Sequence, residues 1–262
     1  MSRAHGEPGP GTLAYVVDGP AEPAGREVPV LLLGPSLGSS GAMWAPQVPV
    51  LARHLRVVRF DHRGHGRSPV PPGPYTVADL GRDVLALMDH LGIARAHYAG
   101  LSLGGMVGMW LAAHAPARID RLALLCTAAH LPPAQGWLDR AAAVRASGLA
   151  AVADAVLARW FTPEFTDTQP YRQMLLAPPA EGYAACCEAI AELDLRPVLG
   201  TIAAPTLVIA GEQDPATPPE LGQQIASAIP GATFVTVPRA AHLANVERAE
   251  TVTGLLAAHL GV

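Results

Sequence analysis

Charge is scarce in this chain, and so is cysteine. Only 15% of the 262 residues are charged, and the formal net charge is -4. The basic residues are scattered singly, which leaves no positive patch for nucleic acid or an anionic membrane surface. Three cysteines, Cys126 and the adjacent pair Cys186-Cys187, are too few for a disulfide framework. Neighbouring cysteines bridge only with strain, so three reduced thiols packed as small apolar side chains are expected. There is no Cys-x-x-Cys, no His-Glu-x-x-His and no aspartate-rich loop, so no metal site is expected. No run of about 18 uncharged apolar residues occurs, which argues against a membrane-spanning helix. Met1 to Gly11 is polar and lacks the apolar stretch of a secretory signal. A cytoplasmic protein that needs no cofactor is the expectation. The oligomeric state is not legible.

Apolar material, by contrast, is plentiful: hydrophobic residues make up 50% of the chain, enough for a thick core in one large domain. Near-continuous apolar runs recur at Val30-Leu33, Val57-Phe60, Ala96-Ala99, Leu122-Leu125, Thr206-Ala210 and Thr233-Val237. Such runs mark strands covered on both faces, as in a parallel sheet. Leu13-Val17 reads as an antiparallel strand at the sheet edge. Between the strands lie helical patterns. Thr76 to Leu91 sets Val77, Leu80, Val84, Leu87, Met88 and Leu91 on one stripe, with Gly92 to stop it. Met106 to Ala115 and Val246 to Leu260 read as further helices. Strand-helix alternation of this kind predicts an α/β fold with a mostly parallel central sheet flanked by helices. From His130 to Pro197 the alternation stops, leaving Ala-rich helical pieces and the aromatics Trp137, Trp160, Phe161, Phe165, Tyr171 and Tyr183. Residues 130-197 are therefore read as an inserted helical cap, and residues 1-129 with 198-262 as the core. A segment anchored at both ends there should lie over the carboxyl edge of the sheet, where open α/β sheets bind ligands.

The segment with the most chemistry is Gly100-Leu101-Ser102-Leu103-Gly104. Its Gly-x-Ser-x-Gly pattern sits between a strand-like and a helix-like run, the context a nucleophile elbow requires. A hydroxyl is a weak nucleophile at neutral pH and needs a base, which in turn needs an orienting acid. In this architecture the chain order is serine, acid, histidine. His242 follows the last apolar run, and Asp214 follows the one before it, with Glu212 as a rival for the acid. An oxyanion hole needs two backbone N–H donors. One is the amide of Leu103. The other must come from Gly34-Pro35-Ser36-Leu37-Gly38; Pro35 has no N–H, leaving Ser36 or Leu37, with Ser36 preferred.

Ser102, Asp214 and His242 in that order, with Asp61-His62-Arg63-Gly64-His65-Gly66-Arg67-Ser68 before them, resemble the α/β-hydrolase superfamily over nearly the whole chain. In that superfamily the arginine and histidine of the latter loop usually do structural work. Ser36-Leu37-Gly38 stands where many members have His-Gly. Gly182-Tyr183-Ala184-Ala185-Cys186-Cys187-Glu188-Ala189-Ile190 with Asp194-Leu195-Arg196 is similar to a cap segment of 3-oxoadipate enol-lactonases. That resemblance implies a serine hydrolase opening a carboxylated enol-lactone to 3-oxoadipate in aromatic catabolism, without cofactor. It also implies that a cation, from among Arg140, Arg145, Arg159, Arg172 and Arg196, meets the substrate carboxylate, and that Trp137 and Trp160 wall the pocket. A carboxylesterase or carbon-carbon bond hydrolase with the same three residues, or a receptor on the same scaffold, would fit the residues as well.

Overall fold

The apolar runs become strands of one eight-stranded sheet in the computed structural model, which describes residues 2-6, 12-20 and 28-262. The strands are β1 (Ser2–Gly6), β2 (Tyr15–Gly19), β3 (Val30–Gly34), β4 (Arg56–Phe60), β5 (Ala96–Leu101), β6 (Ile119–Leu125), β7 (Thr206–Gly211) and β8 (Thr233–Val237). Their order across the sheet is β1-β2-β4-β3-β5-β6-β7-β8. β1 pairs antiparallel with β2, and β2 antiparallel with β4. Every other pairing is parallel. All residues of β5 and β7 are buried, as strands with helices on both faces must be. The order reverses between β3 and β5, and such a switch point opens a crevice at the carboxyl ends of the strands.

Two expectations shift. The predicted edge strand begins at Tyr15, and β1 lies outside it, so Leu13-Val17 does not form the edge. An edge strand has one hydrogen-bonding neighbour and needs no apolar run, so Ser2–Gly6 carried no strand signal. The closing helix is broken in two at Arg248, where the backbone turns to φ -126, ψ 51.

The helices are α1 (Val48–Leu51), α2 (Val77–His90), α3 (Leu103–His114), α4 (Ala134–Ser147), α5 (Ala150–Trp160), α6 (Gln169–Leu176), α7 (Ala180–Ala191), α8 (Pro219–Ala228), α9 (Ala244–Glu247) and α10 (Ala249–Leu260). α2 begins with a capping box: Asp79 N–H donates to Thr76 Oγ1 at 3.1 Å, and Thr76 N–H to Asp79 Oδ2 at 2.9 Å. Its buried face is Val77, Leu80, Val84, Leu87 and Met88, the stripe read from the sequence.

Between β6 and β7 the chain runs through α4 to α7. Leu195 N–H donates to Ala129 O at 2.8 Å, so this excursion leaves and rejoins the sheet at one neck. α7 rests on the loop after β4 so closely that a Cβ on Gly182 would collide with the backbone of Gly64. Cys126, Cys186 and Cys187 are free and buried, and burial pushes their thiols above the usual range, Cys187 to about 12. Among the described residues no helix is long and apolar enough to cross a membrane.

Candidate active site

Ser102 sits where β5 meets α3, with φ 57 and ψ -115. A non-glycine residue held there stores strain that its neighbours must offset. They do so with two hydrogen bonds: Ser102 N–H donates to Leu125 O at 2.9 Å, and Thr127 Oγ1–H to Ser102 O at 2.7 Å. The flanking glycines are steric necessities. A Cβ on Gly100 would run into Gly104 O, and one on Gly104 into Gly34 O. The turn leaves the side chain of Ser102 facing a cavity of about 130 Å³.

His242 lines the same cavity, in the loop after β8. Its Nδ1–H donates to Asp214 Oδ2 at 2.8 Å, in the loop after β7. With Nδ1 engaged by a carboxylate, Nε2 is the ring nitrogen left to accept a proton. Asp214 is only 3% exposed. Burial alone would raise its carboxyl, but the His242 ring and the bonds from Thr217 hold it below the usual carboxylate range. Ala216 N–H and Thr217 N–H both donate to Oδ1, at 2.8 and 3.0 Å. Thr217 Oγ1–H donates to Oδ2 at 2.7 Å and lies 3.3 Å from His242 Nδ1. The alternative acid, Glu212, accepts from Arg239 N–H at 3.1 Å instead. Of the two carboxylates left open by the sequence, Asp214 is the one brought to the imidazole.

The loop after β3 departs from expectation. Ser36 lines the cavity, but its amide N–H is directed at Met43 Sδ, 3.2 Å away. That amide is therefore not aimed at a reacting oxygen, which corrects the preference for Ser36. Among the described residues the amides of Leu37 and Leu103 have no hydrogen-bond partner, and Leu37 also lines the cavity. The sequence carried no signal for this, because a sulfur acceptor seven residues away is set by tertiary folding.

Two buried histidines brace the same loop from behind. His62 Nε2–H donates to Pro35 O at 3.1 Å, and Gly38 N–H donates to His65 Nε2 at 2.9 Å. Asp61 adds a carboxylate that accepts from Gly41 N–H at 2.8 Å.

Half of the cavity's lining comes from the helical excursion and the segment leading into it: Leu131, Trp137, Arg140, Val156, Arg159, Trp160 and Tyr183. Trp137 is half-buried, with its Nε1–H donating to Leu131 O at 3.2 Å, while Trp160 is buried. The five arginines named from the sequence separate sharply. Arg145 pairs with Glu181 and Glu188, Arg172 with Asp154, and Arg196 with Asp194. Arg140 stacks over the Trp137 ring, 4.6 Å from its centroid. Among the described residues neither Arg140 nor Arg159 meets a carboxylate, and both face the cavity. Burial, and then Arg140 nearby, lowers the Arg159 guanidinium below its ordinary value. Two uncompensated guanidinium groups in one small cavity favour an anionic ligand.

A model of the alpha/beta hydrolase fold family matches residues 29–249. This chain belongs to the α/β-hydrolase family. Within that family it is 43% identical to 3-oxoadipate enol-lactonase 2 of Acinetobacter baylyi, over 84% of each chain. It is 38% identical to 3-oxoadipate enol-lactonase 1 of the same organism, over 91% of this chain and 89% of that one. Among solved structures, the enol-lactonase from Burkholderia xenovorans LB400 superposes with a TM-score of 0.90 at 44% identity, covering 95% of this chain and 96% of that one. The hydrolase fold thus places strand ends, elbow and loops in one crevice.

Proposed function

We propose that this hydrolase opens 3-oxoadipate enol-lactone to 3-oxoadipate through an acyl-enzyme on Ser102. The observation that carries the reading is the cavity itself. Its lining includes the elbow serine, the Asp214-bonded imidazole and two guanidinium groups that meet no carboxylate among the described residues. A small ester that also bears a carboxylate matches that set of functions, and the enol-lactonase relatives support the same substrate.

In this reading His242 Nε2 takes the Ser102 proton as Oγ attacks the lactone carbonyl. Asp214 holds the ring and stabilises its charged form. The amides of Leu103 and Leu37 receive the tetrahedral oxygen, each donor lowering the barrier by about 3 kcal/mol. Collapse breaks the ring carbon-oxygen bond and leaves an enolate tethered to the acyl-enzyme; the proton held on His242 passes to that enolate, which becomes the ketone, and the imidazole is neutral again. His242 then deprotonates a water that attacks the acyl carbonyl and frees Ser102. Arg140 and Arg159 hold the substrate carboxylate throughout, and Trp137 and Trp160 exclude water from the cavity. Residues 130-197 act as the cap supplying those side chains, and residues 1-129 with 198-262 as the core supplying the reacting groups.

Purified protein mixed with enzymatically generated enol-lactone should remove its ultraviolet absorbance at a kcat/KM far above that for p-nitrophenyl acetate. A preference for the simple aryl ester would replace the lactonase reading with that of a general esterase.

A further inference from the structure

The loop that carries His242 is fastened to the excursion that carries the arginines, and the fastening is a buried carboxylate. Glu247, the last residue of α9, is only 9% exposed, and among the described residues it has no cationic partner. Its Oε1 accepts from Thr162 N–H at 2.9 Å and Thr162 Oγ1–H at 2.7 Å. Its Oε2 accepts from Ala241 N–H at 2.6 Å. Thr162 lies just past the end of α5, and Ala241 immediately precedes His242. Between these anchor points the two segments also join through the backbone: His242 N–H donates to Arg159 O at 3.4 Å and Leu243 N–H to Trp160 O at 2.9 Å. Arg159 and Trp160 line the cavity that His242 faces.

A carboxylate taken out of water without a counter-ion is costly unless donors satisfy it. Here every donor is an N–H or O–H from one of two segments, so the charge is spent on joining them. An amide in its place could not do so, because one end of Gln offers N–H where Thr162 or Ala241 also offers N–H.

We propose that Glu247 is a positioning residue that clamps the end of α5 to the His242 loop, so that the carboxylate-binding wall and the general base keep one fixed separation. This rests on the reading of His242 as base and Arg159 as a substrate-binding cation. A ligand that seats against Arg159 is thereby held in register with the imidazole, and displacement of α5 displaces His242 with it. Glu247 itself touches neither substrate nor reacting atoms.

Three variants test the clamp: Glu247→Gln, Thr162→Val and, as the conservative control, Thr162→Ser. Amide hydrogen exchange reads segments 159–162 and 241–243 directly, without any activity. In folded Glu247→Gln exchange should rise in both segments together, and phosphonate labelling of Ser102 should slow at least tenfold. Lactone turnover should show kcat reduced and KM raised in the same variant. Thr162→Val, which keeps the Thr162 N–H bond, should move all these readouts the same way by a few-fold, and Thr162→Ser should restore them. Exchange rising in one segment alone, or in neither, would overturn the clamp, as would labelling within twofold of wild type in both disruptive variants. If Glu247→Gln does not fold, Thr162→Val and its serine rescue decide the matter by the same criteria. Wild-type protein that labels at Ser102 but leaves the lactone intact would sink the substrate assignment alone, with exchange and labelling still deciding the clamp.

Discussion

Two loops at the carboxyl edge of the sheet carry buried histidines, and they hold them in opposite ways. His62 and His65, after β4, bond through their ring nitrogens only to backbone groups: Pro35 O for one, Gly38 N–H and Arg63 O for the other. Burial pushes their pKa values down to about 3 and about 4, so both rings stay neutral at physiological pH. His242, after β8, is equally buried but gives its Nδ1–H to a carboxylate. Carbonyls and amides can satisfy a neutral ring; only a counter-charge makes a protonated one tolerable in a low-dielectric site. In the proposed mechanism the difference separates a brace from a base. His62 and His65 fix the loop that carries Leu37, while His242 is the ring proposed to accept and return a proton.

The contrast is broken most severely by removing the ring of His242. His242→Ala should lower kcat for lactone opening by roughly 10⁴- to 10⁶-fold, and Ser102→Ala similarly, with native circular dichroism. Activity near wild type in either variant would remove the proposed mechanism. Next in size is the counter-charge. Asp214→Asn keeps the shape but leaves His242 without its anion, and should cost about 10⁴ in kcat. Glu212→Gln, which alters only the bond to the Arg239 amide, should stay within about twofold, since exposed contacts of this kind contribute little. Equal losses in the two variants would mean that the acid has been misassigned.

The neutral rings are exposed by acid. Their folded pKa values lie below the ordinary histidine value of 6.5, so the unfolded chain binds more protons as pH falls below it. The stability they permit is complete above pH 6.5 and is lost as pH drops toward 4 for His65 and toward 3 for His62. Between pH 7 and pH 5 each ring should cost about 2 kcal/mol of unfolding free energy. Urea denaturation at the two pH values would show the combined loss, and His65→Gln should remove about half of it. An unchanged pH dependence in that variant would mean the ring titrates freely in the folded state.

How much of this was legible beforehand depended on whether the signal was local. Ser102 announces itself because the elbow's steric demand falls on Gly100 and Gly104, two residues away. Asp214 and His242 were legible through order and position after two apolar runs. The excursion was visible as a break in alternation. What was hidden depended on contacts between distant segments. Nothing in the local sequence shows that the Ser36 amide meets Met43 Sδ, or that Arg145, Arg172 and Arg196 meet carboxylates while, among the described residues, Arg140 and Arg159 do not. β1 was hidden for another reason: a polar edge strand has no pattern to read.

Thr217 gives the finest test, because it bonds to the Asp214–His242 pair without itself being ionisable. It lies three residues beyond Asp214, where an Asp side chain readily accepts from the backbone of its own turn. Its hydroxyl adds a bond to Oδ2, the same oxygen that receives the His242 proton donor. Thr217→Val preserves shape and the backbone bond to Oδ1 but deletes that hydroxyl. A hydrogen bond to a charged acceptor contributes about 1.5–3 kcal/mol, and Asp214 retains its other partners, so only part of that should reach the transition state. The expected result is a kcat lower by about three- to tenfold with KM little changed, restored by Thr217→Ser. A valine variant as fast as wild type would show that the carboxylate is oriented by the backbone alone, and the Asp214–His242 pair would then owe its alignment to Ala216 N–H and Thr217 N–H.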